Sequence, residues 1–187
     1  MINKQRIKNL LRLLINNIRF KRNIRKSGGR ILKGVNIRIH GSANVGNDVI
    51  IGARGIDLFE RSQIVLTLNS RLIIGNHVGM TSVTIFCKKS IEIGNYVNIG
   101  AGTMIFDTNF HSTDWKIREN RIEDIQTAKD APVKIGDNVF IGARCIIMKG
   151  VTIGPRTIIS AGSVVSKDIP SDCIVAGNPC KVIKSLK

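Results

Sequence analysis

The chain has 187 residues, enough for one domain with an appendage and too few for two ordinary domains. Apolar residues make up 43%, which excludes wholesale disorder, and that set is dominated by 32 Ile and 14 Val against only 8 aromatics. Stiff, β-branched side chains with 18 Gly and 4 Pro point to an all-β chain of many short strands and exclude a helical bundle.

Charge is uneven along the chain. The net +16 includes 12 bases and no acid in residues 1–47, the first acid being Asp48; the other 140 residues carry 17 bases and 13 acids, or +4. The high charge therefore describes a basic arm (residues 1–30) on a nearly balanced domain (residues 31–187). In the segment KQRIKNLLRLLINNIRFKRNIRK, residues 4–26, Ile7, Leu11, Leu14 and Ile18 recur at helical spacing, with Lys8, Arg12, Asn16 and Arg19 on the other side. Ser27, Gly28 and Gly29 supply a stop. An amphipathic basic helix of this kind suits an anionic membrane surface; the alternative is that the apolar stripe caps the domain that follows. Nucleic acid is not expected, because only Phe20 offers an aromatic near the cations. No run approaches ~18 apolar residues, so no membrane span is expected, and the basic start lacks a secretory cleavage pattern. Cys87, Cys145, Cys173 and Cys180 form no CxxC pair and no zinc-like spacing, and are expected to be packed thiols of a cytoplasmic protein.

From position 135 the chain divides every six residues: IGDNVF, IGARCI, IMKGVT, IGPRTI, ISAGSV, VSKDIP. The first position is always Ile or Val, from Ile135 through Val165. Earlier hexads keep the frame with slips: VGNDVI and IGARGI from Val45, IGNHVG from Ile74, IGNYVN and IGAGTM from Ile93. A period of six fits short strands joined by sharp turns, with the first residue of each hexad pointing inward and Gly or Asn–Asp pairs making corners. Three hexads would close one triangular coil, and stacked coils would bury an aliphatic column too narrow for aromatics. The frame lapses between Ile105 and Val133, and the polar insert, about 107–131, projects as a loop.

On these hexads, on FDTNFHSTDWKIREN (106–120) and on VVSKDIPSDCIVAGNPCKVIK (164–184), the chain resembles the hexapeptide-repeat acyltransferases. Within them it is most similar to the galactoside/maltose and polysaccharide O-acetyltransferase branch. The resemblance implies a left-handed parallel β-helix, a homotrimer with sites between subunits, acetyl-CoA as co-substrate and a sugar or polysaccharide precursor as acceptor, and the cationic arm would suit a lipid-linked one. It implies no metal, and the three His are spaced by 37 and 34 residues, unlike a metal cluster. The insert resembles the family's active-site loop, and the segment at about 168–187 its closing segment.

Acyl transfer from a thioester to a hydroxyl requires a base, oxyanion donors and alignment, and no covalent intermediate. His111 matches the family's catalytic His and is the expected general base; His77 and His40 read as structural. Asp107, Asn109 and Asp114 are within loop reach of the His111 ring, and Asp107, Asn109 and Trp115 are expected along the acceptor pocket. The positions where the branch carries an acceptor-binding Asn and a carboxylate fall near Met80 and Lys88, so sugar specificity does not transfer. Coenzyme A contacts are implied at Ala143, Ala161, Ser166 and Lys167, with Lys181 and Lys184 meeting phosphates. The same scaffold supports N-acylation of an amino sugar or small metabolite, or a non-enzymatic scaffold in glycan assembly. The cationic arm fits a peripheral position at the inner membrane surface.

Overall fold

The structure is a computed structural model that describes residues 4–31, 36–40, 42–47, 49–51 and 62–187. Asp48 and residues 52–56 of the two hexads from Val45 lie outside the described residues. The chain opens with helix α1 (Lys4–Lys26). Short strands follow: β1 (Arg30–Ile31), β2 (Asn36–Ile39), β3 (Ser42–Val45), β4 (Ile50–Ile51), β5 (Gln63–Leu66) and β6 (Arg71–Ile74). Next come β7 (Gly79–Met80), β8 (Thr84–Cys87), β9 (Ser90–Ile93), β10 (Asn98–Ile99) and β11 (Met104–Phe106). After an excursion containing helix α2 (Arg121–Thr127), the strands resume as β12 (Val133–Ile135), β13 (Phe140–Ile141), β14 (Ile146–Ile147), β15 (Thr152–Ile153), β16 (Ile158–Ile159) and β17 (Val164–Val165). A hairpin of β18 (Cys173–Gly177) and β19 (Cys180–Ser185) closes the chain.

Every third strand stacks on the last. One sheet runs β1-β4-β7-β10-β13-β16-β18-β19, a second β2-β5-β8-β11-β14-β17, a third β3-β6-β9-β12-β15. All pairings are parallel until β19 returns antiparallel along β18. This is a three-sided parallel β-helix, the architecture the six-residue period predicts. The inward residues confirm the frame: Ile135, Ile141, Ile147, Ile153, Ile159 and Val165 are all buried, in one column with Ile85, Ile91 and Ile105.

The corners hold the coils in register. Asn47 N–H donates to Asn76 Oδ1, Asn76 N–H to Asn95 Oδ1, and Asn95 N–H to Asp137 Oδ1, at 2.7–2.9 Å, so side chains of one corner serve as acceptors for the backbone of the next. His77 sits in this corner at φ 55° and stacks on Tyr96, ring centroids 4.6 Å apart, which accords with its reading as a turn residue. Coil-to-coil approach is close enough to require glycine: a Cβ on Gly142 would lie 2.5 Å from the Ala161 nitrogen.

Helix α1 covers the first coil, but not with the stripe that the sequence spacing picks out. Phe20 and Ile24 enter the core, and Asn17 Oδ1 accepts the Ile39 N–H at 2.9 Å. Ile7, Leu11, Leu14 and Ile18 are exposed. The packing partner, not the helical period, decides which face is buried. At the other end Arg156 forks onto Asp172, with Nη2 2.8 Å from Oδ2 and Lys187 Nζ 3.7 Å away, pinning the closing hairpin to the last coil. The guanidinium bond, with a Ser171 side-chain contact, holds the Asp172 carboxyl down at about 2.

Two outcomes are expected. Gly142→Val forces a side chain into the Ala161 backbone and destabilises the coil by about 2–4 kcal/mol, measured by denaturant unfolding; an unchanged midpoint would contradict the close stacking. Because the Asp172 pKa is depressed on folding, its contribution is present above the ordinary carboxylate range and is lost as pH falls from about 4 to about 2. Arg156→Gln therefore flattens the acid limb of stability against pH, and identical limbs in variant and parent would contradict the clasp.

Candidate functional site

The one long departure from the coil among the described residues runs from β11 to β12. Its stems are tied together: Thr108 bridges Asp130 antiparallel, Asn109 N–H donates to the Lys129 carbonyl (3.0 Å) and Ala131 N–H to the Asp107 carbonyl (2.9 Å). Lys88 fastens the base from the neighbouring coil, its Nζ 3.1 Å from Asp130 Oδ2 and 3.0 Å from the Ile125 carbonyl.

Asp107, expected along the acceptor pocket, is instead fully buried. Its two carboxylate oxygens accept the Lys88 and Lys89 backbone N–H groups, each at 2.7 Å. The side chain therefore satisfies a turn of the coil below and is not on the surface. The same charge, after burial itself, helps push the Cys87 thiol up to about 12, so Cys87 is inert packing. Cys145 and Cys173 are also buried, and none of the four cysteines is paired.

Beyond Asp107 the chain turns sharply. His111 N–H closes back on the Asn109 carbonyl at 2.7 Å, and Phe110 between them adopts φ 63°, an uncommon conformation for an aromatic residue. Phe110 is held there by Phe86 and Phe106, ring centroids 4.9 and 5.2 Å away, which lie side by side on the outer face of β8 and β11. The turn carries His111 outward, its side chain 66% exposed.

The partner of the His111 ring is Asp124, which the sequence reading did not consider. Its Oδ2 lies 2.6 Å from His111 Nδ1, and its Oδ1 accepts the Ser112 N–H at 2.7 Å. The Asp124 side chain is 7% exposed, and the His111 bond first, then the Ser112 N–H, hold its carboxyl below the usual range. Helix α2 delivers it: Asn120 accepts the Ile122 N–H at 3.1 Å and starts the helix, turning Asp124 inward while Ile122 and Ile125 stay exposed. Arg118 donates to the Ser112 carbonyl at 2.8 Å and stiffens the same turn. Asp114, also within loop reach by sequence, accepts the Lys116 N–H instead. With Asp124 ionised against Nδ1, the imidazole presents Nε2 to solvent as a hydrogen-bond acceptor.

The other expected site residues fall at separate places. Asn109 is half-buried at the turn, and Trp115 is 61% exposed with Lys116 Nζ 5.7 Å from its ring centre. Ala143 and Ala161 stack at one corner, where the Gly162 N–H donates to the Ala143 carbonyl. Ser166 and Lys167 follow β17 at the next corner, and Lys181 and Lys184 lie exposed on the edge strand β19. Among the described residues no group of three or more His, Cys, Asp or Glu could hold a metal ion.

Residues 132–167 match the family model for the bacterial transferase hexapeptide (six repeats). The chain is similar to galactoside O-acetyltransferase of Escherichia coli K12, 34% identical over 124 residues, which are 66% of this chain and 58% of that protein. It is similar to 2,3,4,5-tetrahydropyridine-2,6-dicarboxylate N-acetyltransferase of Staphylococcus aureus strain Newman, 36% identical over 92 residues, 49% of this chain and 32% of that protein. A solved galactoside acetyltransferase in complex with coenzyme A superposes with TM-score 0.51 at 27% identity, covering 84% of this chain and 64% of that one. The matched part of the chain thus spans less than two thirds of the length of these proteins.

Proposed function

The chain belongs to the hexapeptide-repeat transferase family, and from that premise we propose that it is an acetyl-CoA-dependent O-acetyltransferase acting on a hydroxyl of a sugar or lipid-linked polysaccharide precursor. The observation that carries the reading is the His111–Asp124 pair, held on a stiffened loop beside a rigid coil. The solved relative holds coenzyme A, and the E. coli relative is named for O-acetyl transfer to galactosides. The branch's acceptor-contact positions, near Met80 and Lys88, differ in this chain, and Lys88 is engaged at the loop base. The acceptor is therefore assigned only as a glycan hydroxyl.

In the proposed reaction, Nε2 of His111 takes the proton of the acceptor hydroxyl as its oxygen attacks the thioester carbonyl. The tetrahedral intermediate collapses with cleavage of the C–S bond, and the imidazolium returns its proton to the departing thiolate. Asp124 keeps Nδ1 protonated throughout and offsets the imidazolium charge, a positioning role. Asn109 and Trp115 are proposed to line the acceptor side, Trp115 by stacking its exposed face on a sugar ring. On the donor side, the small corners Ala143 and Ala161 leave room for a pantetheine arm, Ser166 and Lys167 extend that wall, and Lys181 and Lys184 meet the phosphates. The proposed working unit is a homotrimer of left-handed coils with sites between subunits. Exposed apolar Phe140, on the outer face of β13, supports a subunit contact there.

Thiol release from acetyl-CoA, with a panel of mono- and oligosaccharide acceptors, tests the roles. His111→Ala lowers turnover by about 10²–10⁴-fold while coenzyme A binding persists; near-parental turnover would remove His111 as base. Asp124→Asn allows the wrong ring tautomer and lowers kcat by about 10²-fold or more with KM for acetyl-CoA unchanged. Loss confined to KM would contradict the positioning role.

A further inference from the structure

Helix α1 presents two faces. The face toward the coil buries Phe20 and Ile24, and Asn16 Nδ2 and Asn17 Oδ1 bond both backbone groups of Ile39. The face away from it carries Ile7, Leu10, Leu11, Leu14, Ile15 and Ile18, each 42–60% exposed. At about 100° per residue these six side chains form a continuous strip about 140° wide, nearly opposite Phe20. Lys8, Arg12, Arg19 and Lys26 line one border of that strip, and Lys21, Arg22 and Arg25 crowd its C-terminal end. No carboxylate occurs before Asp48 to neutralise them.

Along the cationic border, between α1 and β3, lies a groove of about 330 Å³ whose polar lining is Arg12, Asn16, Arg19, Asn23, Ser42 and Asn44, over apolar Phe20, Ile39 and Ala43. Two guanidiniums with amides and a hydroxyl, and no acid, make up a donor set suited to a phosphate oxyanion.

We propose that α1 is an interfacial helix: it lies on an anionic phospholipid surface with its apolar strip in the headgroup–acyl boundary, and a headgroup phosphate enters the groove between Arg12 and Arg19. Charge complementarity selects this occupant. A second copy of α1 laid on the strip would set its cations against an equal number with no acid between them, whereas anionic lipid covers the apolar area and neutralises the border at once. The helix lies flat because its cations interrupt every long apolar run; no helix among the described residues is long and apolar enough to cross a membrane. This reading is independent of the acyl-transfer chemistry.

The test is co-sedimentation of the full chain with vesicles of phosphatidylcholine alone and of phosphatidylcholine with one third phosphatidylglycerol. Partitioning is expected to be at least about tenfold stronger on the anionic vesicles, and to weaken as salt rises from about 0.1 M to about 1 M and the Debye length contracts. Leu14→Glu/Ile18→Glu reduces binding to the neutral-vesicle level with melting temperature and oligomeric mass unchanged, and Arg12→Gln/Arg19→Gln narrows the preference for anionic lipid by about tenfold. Equal binding to both vesicles overturns the proposal, as does parental binding by the Leu14/Ile18 variant. A change in that variant's oligomeric mass would assign the strip to a second copy of the chain and overturn it too.

Discussion

Each coil of this chain sits on the next because the first residues of the corners leave the backbone bare where the neighbouring backbone passes. Gly142 shows the tolerance, with the Ala161 nitrogen 2.5 Å from where a Cβ would stand. Given that approach, N–H groups reach carbonyls of the adjacent coil all along three sheets, and the first residue of every hexad falls into one aliphatic column. The column explains the composition: Ile and Val fill it with few rotamers, and Phe20, from α1 at its end, is the one ring in the core among the described residues. Such a wall is stiff in a way that a packed helical bundle is not, since all but the end strands of each sheet are held by partners above and below.

A stiff wall makes a single excursion precise. The insert between β11 and β12 is anchored at both stems, at its base by Lys88 and at its turn by Phe110 on the outer aromatic pair of β8 and β11. The uncommon backbone of Phe110 aims His111 outward, and the same loop supplies the carboxylate that orients its ring. Both members of the pair thus come from one short stretch of chain. The ring geometry does not depend on assembly, whereas the residues proposed for the donor side lie at separate corners and on an edge strand.

The architecture was legible because a six-residue period is a direct imprint of three-sided coiling, and His111 stood out because it sits where that period breaks. Asp124 was not legible: it is thirteen residues from His111, on a helix too short for a clear apolar pattern, with several other loop acids nearer in sequence. The Asn120 cap three residues before Glu123 was the available signal for that helix. Asp107 misled for a related reason. Its position at the end of a strand suits both a pocket wall and a turn acceptor, and only the placement of the Lys88–Lys89 N–H groups decides between them. In α1 the period was right and of the two covers weighed for its apolar stripe only the capping one fails, because an amphipathic spacing records that one face is apolar and says nothing of what covers it. Phe20 and Ile24, near the C-terminal end, are the apolar residues that α1 buries against the first coil.

The claim at the centre of this account is that the wall formed by the late coils and closing hairpin receives an acyl-coenzyme A. Calorimetric titration of the full chain with coenzyme A and acetyl-CoA tests it without knowledge of the acceptor. Saturable binding with Kd of about 1–100 μM, weakened when Lys181 and Lys184 are replaced by Gln, is the predicted result. No heat of binding at about 1 mM ligand, from a folded and oligomeric protein, would contradict the transferase assignment and leave the chain as a scaffold.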